Sequence, residues 1–344
     1  MKSVENNVSL RKKGVDVRKL QKMGGSTYLV SLPKDWIQKN GLNQGDPVAI
    51  FETGDGNLIL DPRYSEREEL SKTIIEIKSK AGFDLGREIT AAYLFGFDII
   101  SVVSEKNISP NEREIIKKTI QKLIGIEIME ETFKEISLQC LISTTALSLN
   151  RSLERIYRIA SQMHQDAIIA LIEGDEKLAR NVIERDEEVD RLYFLAVRQL
   201  RAAVQDPRMA KKMGVSAIEC LDDRVIAKSI EFMADLATEI AVRALKLKGF
   251  TLDEKIATLI PEISKTAYTM TEKAMEALRS HSMKLAIEVI DELRPKILKD
   301  IEYAREELKV GKYGKESVHI EVILDNLDRI SEVGVDIADL IMRR

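Results

Sequence analysis

Three pairs of carboxylates four residues apart stand out in the C-terminal two thirds of the chain: Asp186 and Asp190, Glu231 and Asp235, Asp328 and Glu332. On a helix, residues i and i+4 share a face, so each pair directs two anionic groups to one side. Like charges at that spacing destabilise a helix slightly unless a cation or water screens them. Hard oxygen donors of this kind suit divalent or iron/zinc-type metal ions, and magnesium, calcium, manganese and iron better than thiolate-preferring metals. The bland alternative is a solvated face, since the chain holds 57 acidic residues. Glu184 with Glu188 and Glu219 with Asp223 have the same spacing and are assigned no role.

A second chemistry lies at the opposite end. The first forty residues carry nine basic side chains against three acidic ones, a balance of +6, whereas the whole chain carries −4. The remainder therefore carries −10. A basic front on an acidic body reads as a contact module for a polyanion. The basic set includes Arg11, Lys12, Lys13, Arg18, Lys19 and Lys22. From the residues alone two readings stand. The cations meet nucleic acid, or they solvate an exposed strand and guard its edge against aggregation.

Other chemistries find little support. Gly24-Gly25-Ser26-Thr27 lacks the spacing of a phosphate-binding loop and has no long helix behind it. No nucleophile–base or nucleotide-binding constellation is evident, so the chain is not expected to be an enzyme. A metal-dependent hydrolase built on the acidic pairs would need an open coordination position and a neighbouring base. Cys140 and Cys220 have no metal-ligand spacing and read as buried thiols of a reducing compartment. His164, His281 and His319 are scattered in polar helical contexts and read as surface or interface residues. Met209, Met213 and Met233 read as packing residues. No apolar stretch is long enough to span a bilayer and no apolar segment follows the N-terminal charges, which points to the cytoplasm.

The elements that position these groups change in texture along the chain. Residues 1–13 are polar and expected to be flexible. Val15 to Lys22 alternates as a strand, Gly24-Gly25 turns the chain, and Tyr28-Leu29-Val30 forms a second strand. Ser31 is placed to cap a short helix starting near Pro33, with Gly41 to stop it. "DPVAIFETGDGNLILDP" reads as a hairpin. Residues 64–143 read as strand, helix, strand, helix, strand, strand, a small α/β layer structure. From 144 onward apolar residues recur at three and four spacings, which predicts an all-α bundle. The chain is thus multidomain, with divisions near 1–63, 64–143 and 144–344.

The helical part repeats itself. "ALIEGDEKLARNVIE" from Ala170 aligns with "ALRSHSMKLAIEVID" from Ala277, and "IEFMADLATEIA" from Ile230 with "LDRISEVGVDIA" from Leu327. Two three-helix units are expected, about 150–249 and 258–344, with a shorter connection in the second where the first has "AAVQDPRMAKKMG". The first alignment places Leu293, Pro295 and Ile297 where Asp186, Glu188 and Asp190 stand. The second unit therefore lacks that carboxylate pair, and Pro295 is expected to kink or restart its helix.

"VRKLQKMGGSTYLVSLPKDWIQKNGLNQGDPVAIFETGDGNLILDP" resembles the AbrB/SpoVT-type swapped-hairpin DNA-binding domain. The resemblance implies a β-barrel shared by two chains, a homodimer, with Arg18, Lys19 and Lys22 facing DNA and Ser26 and Thr27 donating to phosphate. "ALIEGDEKLARNVIERDEEVDRL", "SIEFMADLATEIA" and "NLDRISEVGVDIA" resemble the PhoU phosphate-uptake regulators. That likeness implies two three-helix repeats, metal clusters at carboxylate pairs and a part in phosphate-dependent signalling. Together they imply a DNA-binding transcriptional regulator of phosphate uptake whose bundle senses or relays phosphate status. The alternative is an adaptor that regulates a phosphate transporter or signalling partner by protein contact, with the N-terminal part only dimerising.

Overall fold

The computed structural model describes residues 11–12, 15–52, 56–62, 70–77, 84–142, 148–311 and 313–342. The chain divides into two compact units, Met1–Glu69 and Leu70–Arg344.

The first unit is built of short pieces. β1 (Arg11–Lys12) pairs antiparallel with β2 (Val15–Asp16), so two of the residues expected to be flexible lie in a strand. The expected strand over Val15 to Lys22 is interrupted. β3 (Gln21–Met23) starts afresh and pairs with β4 (Thr27–Leu29) across a turn in which Gly24 holds φ 68°. α1 (Lys34–Lys39) follows, with Pro33 at the N-cap and no side-chain cap, so Ser31 does not play the expected role. Gly41, at φ 65°, ends that segment as expected. β5 (Ala49–Glu52) and β6 (Leu58–Asp61) form the hairpin.

This unit has no core of its own among the described residues. Leu20, Tyr28, Ile50 and Leu58 are each more than half exposed, and α1 buries nothing. Asp61 is its one buried described residue. Isolated two-stranded hairpins are marginal in water, so these apolar side chains need a surface that the single chain does not supply.

The second unit opens with a four-stranded sheet. β7 (Lys72–Glu76), α2 (Leu85–Phe95), β8 (Ile99–Val103), α3 (Pro110–Gln121), β9 (Ile126–Glu131) and β10 (Glu135–Cys140) follow the expected order. The strands lie β7-β8-β10-β9; β7 runs parallel to β8, and β10 is antiparallel to both its neighbours. Local chemistry sets the helix ends. Asp84 caps α2 and left-handed Gly96 closes it; Ser109 and Glu112 form a capping box for α3 with Pro110 in the first turn. Alternation puts Ile75, Ile100, Val102, Ile136 and Leu138 against Ile89, Tyr93 and Ile116 of the helices.

The bundle contains α4 (Leu149–Glu173), α5 (Glu176–Gln205), the short α6 (Pro207–Met213) and α7 (Ala217–Lys246) as a first repeat. The second has α8 (Glu254–Ser280), α9 (Met283–Ile287), a π-helical turn (Glu288–Leu293), α10 (Arg294–Val310) and α11 (Ser317–Ile341). α6 is the longer connection expected of the first copy. Pro295 sits in the first turn of α10, directly after the π turn. A proline lacks the N–H that an unbroken helix would use, and a widened turn accommodates that loss. A continuous core runs through both repeats, including Ile156, Met163, Ile230, Ile263, Met270, Ile323 and Ile337.

α8 and α11 approach closely at Gly334. A Cβ there would stand 3.1 Å from the carbonyl carbon of Met270 and 3.2 Å from its oxygen. Backbone cannot step aside as a side-chain tip can. Gly334→Ala is therefore expected to cost about 1–3 kcal/mol, read as a lower urea midpoint at unchanged slope.

Candidate functional site

α5 and α7 pack along their lengths and bring two of the sequence-derived pairs together. Asp186 and Asp190 lie one turn apart on α5, half-buried. On α7, Glu231 is buried, and Asp235 stands at the rim, exposed as a residue but with its carboxyl partly desolvated against the other three. Burial raises the Asp190 carboxyl to about 6, reinforced by the charges of Asp186 and Asp235. Asp235 is also pushed up to about 6, by burial and then by Glu231 and Asp186. Asp186 is raised by burial, and Glu231 by burial against the opposing bond from Lys228. The four carboxylates thus share one electrostatic neighbourhood.

Lys228 pairs with Glu231 and lies 5.7 Å from the centre of the Tyr193 ring, while the charges of Lys122 and then Lys228 oppose the rise at Asp190. As the side chains stand, no three His, Cys, Asp or Glu groups among the described residues converge to hold a metal ion. In donor type the set fits a hard cation, but Glu231 would have to exchange Lys228 for it.

The sign of the pH effect follows from these shifts. A carboxyl whose folded pKa exceeds its unfolded value binds its proton more tightly when folded. Asp190 and Asp235 therefore favour the folded state most below the unfolded value near 4, and lose that contribution as pH rises through about 6. In chelator, Asp190→Asn is expected to flatten the fall in midpoint temperature between pH 5 and pH 7.5. Calorimetry at the two pH values checks this; an unchanged difference would show that Asp190 is not strained by its neighbours.

The third pair is differently arranged. Arg294, at the start of α10, reaches Asp328 at 2.5 Å and Glu332 at 3.0 Å, and also bonds the Asp328 carbonyl at 3.3 Å and the Ser331 hydroxyl. The chain's own guanidinium neutralises that face. Sequence reading passed over Arg294, although the repeat offset places it opposite Glu187, so a basic residue stands in an otherwise acidic register.

A buried arginine was also missed. Arg198 of α5 is 1% exposed and joins the bundle to the sheet layer. Its guanidinium donates to the carbonyls of Tyr93 at 2.6 Å and Phe97 at 2.9 Å and to Asp98 at 3.3 Å, and lies 5.0 Å from the centre of the Tyr93 ring. Asp98 in turn accepts from the Ser71 amide and hydroxyl. A charge inside the apolar run "FLAVRQL" is the signal that marks it.

His164 corrects the expectation of a surface histidine. It is fully buried between α4 and α8, with Nε2 3.0 Å from the Ser264 hydroxyl, and burial pushes it down to about 4. His319 lies 3.5 Å from an Arg243 guanidinium nitrogen, and His281 is the left-handed cap of α8. Cys220 is buried, but Cys140 is only half-buried. Met233 is buried, whereas Met209 and Met213 are half-buried.

At the N-terminal module, Lys19 and Lys22 are exposed, as are Ser26 and Thr27 at the β3–β4 turn. Arg18 is half-buried and lies 3.6 Å from Asp16, which takes up part of its charge. Arg11 and Lys12 form β1, and Lys13 lies outside the described residues.

A four-carboxylate face in a duplicated three-helix bundle, preceded by a cationic strand module, defines a two-part architecture. Residues 153–244 match the family model of the PhoU domain, and residues 21–68 match that of antidote-toxin recognition MazE, bacterial antitoxin. The chain is thus similar to PhoU domains over residues 153–244 and to MazE-type antitoxins over residues 21–68. Over 55 residues it is 42% identical to the phosphate-specific transport system accessory protein PhoU homolog of Aquifex aeolicus (strain VF5). That match covers 16% of this chain and spans a quarter (25%) of the relative's length. PhoU from Pseudomonas aeruginosa has the same bundle fold, with a TM-score of 0.50 at 21% identity over 56% of this chain and 93% of that one. The phosphate transport system regulatory protein PhoU from Streptococcus pneumoniae gives a TM-score of 0.49 at 18% identity, over 56% and 91%. No helix among the described residues is long and apolar enough to cross a membrane.

Proposed function

We propose that this chain regulates phosphate uptake as a DNA-binding dimer, its bundle sensing or relaying phosphate status. The observation that carries the reading is the N-terminal module. It is cationic, its apolar residues are exposed, and it matches a MazE-type model. A second copy supplies the missing core, as the swapped-hairpin type implies. Pairing doubles the lysine patch and sets two half-site contacts by symmetry. The PhoU domain at 153–244 links the chain to phosphate transport. Asp186, Asp190, Glu231 and Asp235 are proposed to take a divalent or iron-type cation in place of Lys228, while Asp328 and Glu332 remain with Arg294.

Fluorescence anisotropy tests the reading with duplexes from promoters of phosphate-transport genes against random duplexes of equal length. Tighter binding to the promoter is expected; equal binding would count against sequence-specific regulation.

An adaptor role is the second reading. The Aquifex relative, an accessory protein of a phosphate-specific transport system, favours it, as does the pairing of Arg18 with Asp16. In that case the bundle binds a phosphate transporter or signalling protein and the N-terminal module serves only to dimerise.

A further inference from the structure

The sheet of the second unit has two edges of different character. The β9 edge carries Glu127 and Glu130, which discourage pairing by repulsion, and Glu131, which Arg113 pairs. The β7 edge has no such run. Among the described residues nothing pairs with β7 on the side away from β8. The Ser71 carbonyl accepts from Ile99 at 3.0 Å, and Ile77 donates to Val103 at 2.8 Å. Odd-numbered residues thus bond to β8. By alternation, Lys72, Ile74 and Glu76 turn their N–H and C=O groups to the open side. Their side chains lie on the face away from the helices, exposed, with Ile74 at 67%.

We propose that this edge pairs with β7 of a second copy, antiparallel across a two-fold axis at Ile74. The sequence KTIIE is self-complementary in that register. Lys72 meets Glu76 of the other copy, Glu76 meets Lys72, and Ile74 meets itself. Opposite charges directly across a strand pair are favourable, and like charges unfavourable. Each outward-bonding residue falls opposite another, so both open rows of backbone groups are satisfied. On the helix side, a cavity of about 480 Å³ lined by Thr73, Ile75, Ala91, Ala92, Phe95 and Phe97 leaves space beside the edge for the partner's Thr73 and Ile75. The pairing joins two four-stranded sheets into one.

Chain connectivity favours the same occupant. β6 ends at Asp61 and β7 begins at Lys72. Where the N-terminal modules pair as proposed above, two β7 edges are tethered close together and their effective concentration rises. That part of the inference rests on the dimer reading; the self-complementary register does not.

Cross-linking of the full chain tests it, with sedimentation at the same concentration. In the paired register the two Ile74 Cα atoms stand about 5.5 Å apart, within disulfide reach. Ile74→Cys should oxidise to a covalent dimer under conditions that leave the unsubstituted chain, with Cys140 and Cys220, unlinked. Adding Lys72→Glu, which sets two carboxylates opposite each other twice, should reduce the linked fraction at least tenfold. Adding Glu76→Lys to that variant should restore it, which a folding defect would not allow. A sedimenting dimer that does not cross-link, or cross-linking indifferent to the reversal, overturns the edge proposal. A monomer in sedimentation that still traps through Ile74→Cys, with the same reversal and rescue, supports the edge and overturns the N-terminal dimer instead. A monomer that does not trap overturns both.

Discussion

Arg198→Ala is expected to lower the stability of the second unit by about 3–5 kcal/mol, the cost of breaking a buried charged network from one side. The substitution leaves the carbonyls of Tyr93 and Phe97 without the donor they now share, and strips the Tyr93 ring of its cation. Asp98 keeps its Ser71 bonds but loses the guanidinium. Arg198→Lys should recover only part of the loss, because one ammonium on a flexible stem cannot reproduce a planar fork aimed at three oxygens. Urea unfolding gives the magnitude. Hydrogen exchange gives the location: the amides of α2 and β8 should lose protection before those of α8 and α11. Arg198→Met within about 1 kcal/mol of the natural chain would show the network to be replaceable by packing.

Charge reversal of the N-terminal cations carries the second large effect. Arg18→Glu, Lys19→Glu and Lys22→Glu together should weaken DNA binding by about a hundredfold or more, because the affinity of such modules comes mainly from phosphate neutralisation. The single changes should be unequal. Lys19→Ala and Lys22→Ala remove exposed cations, whereas Arg18→Ala removes one already shared with Asp16 and should cost least. Anisotropy measures the loss, and sedimentation checks that self-association persists. Under the adaptor reading the same triple variant retains its protein partner in a pull-down at unchanged yield.

Local signals and remote partners divide what could be read from the residues. β7, β8 and β10 alternate cleanly against one helix layer, and α2 and α3 carry their own caps, so neighbouring residues suffice to place them. The repeat was legible because the same apolar spacing recurs, and Pro295 announced a restarted helix, though not the π turn that precedes α10. Arg198, Arg294 and His164 were not legible in role. Their partners lie about 100, 34 and 100 residues away in sequence, so a local signal such as the apolar run around Arg198 marks the residue without revealing what it binds. Ser31 misled for a related reason: its hydroxyl suits a cap, but Pro33 occupies the N-cap position. Of the candidate site, the i, i+4 spacing located Asp186 with Asp190 and Glu231 with Asp235. Only the packing of α5 on α7 reveals that the four perturb one another, and that Lys228 already serves Glu231.

The most direct measurement is the salt dependence of promoter binding by the unaltered full chain, with the mass of the bound species taken alongside. In the proposed DNA-bound dimer, Lys19 and Lys22 of two copies would set about four phosphate contacts, each contributing about −0.9 to the slope of log affinity against log salt. A slope of about −4 and a bound dimer are therefore expected. A slope near zero, or a single copy on the duplex, would contradict the DNA-binding dimer.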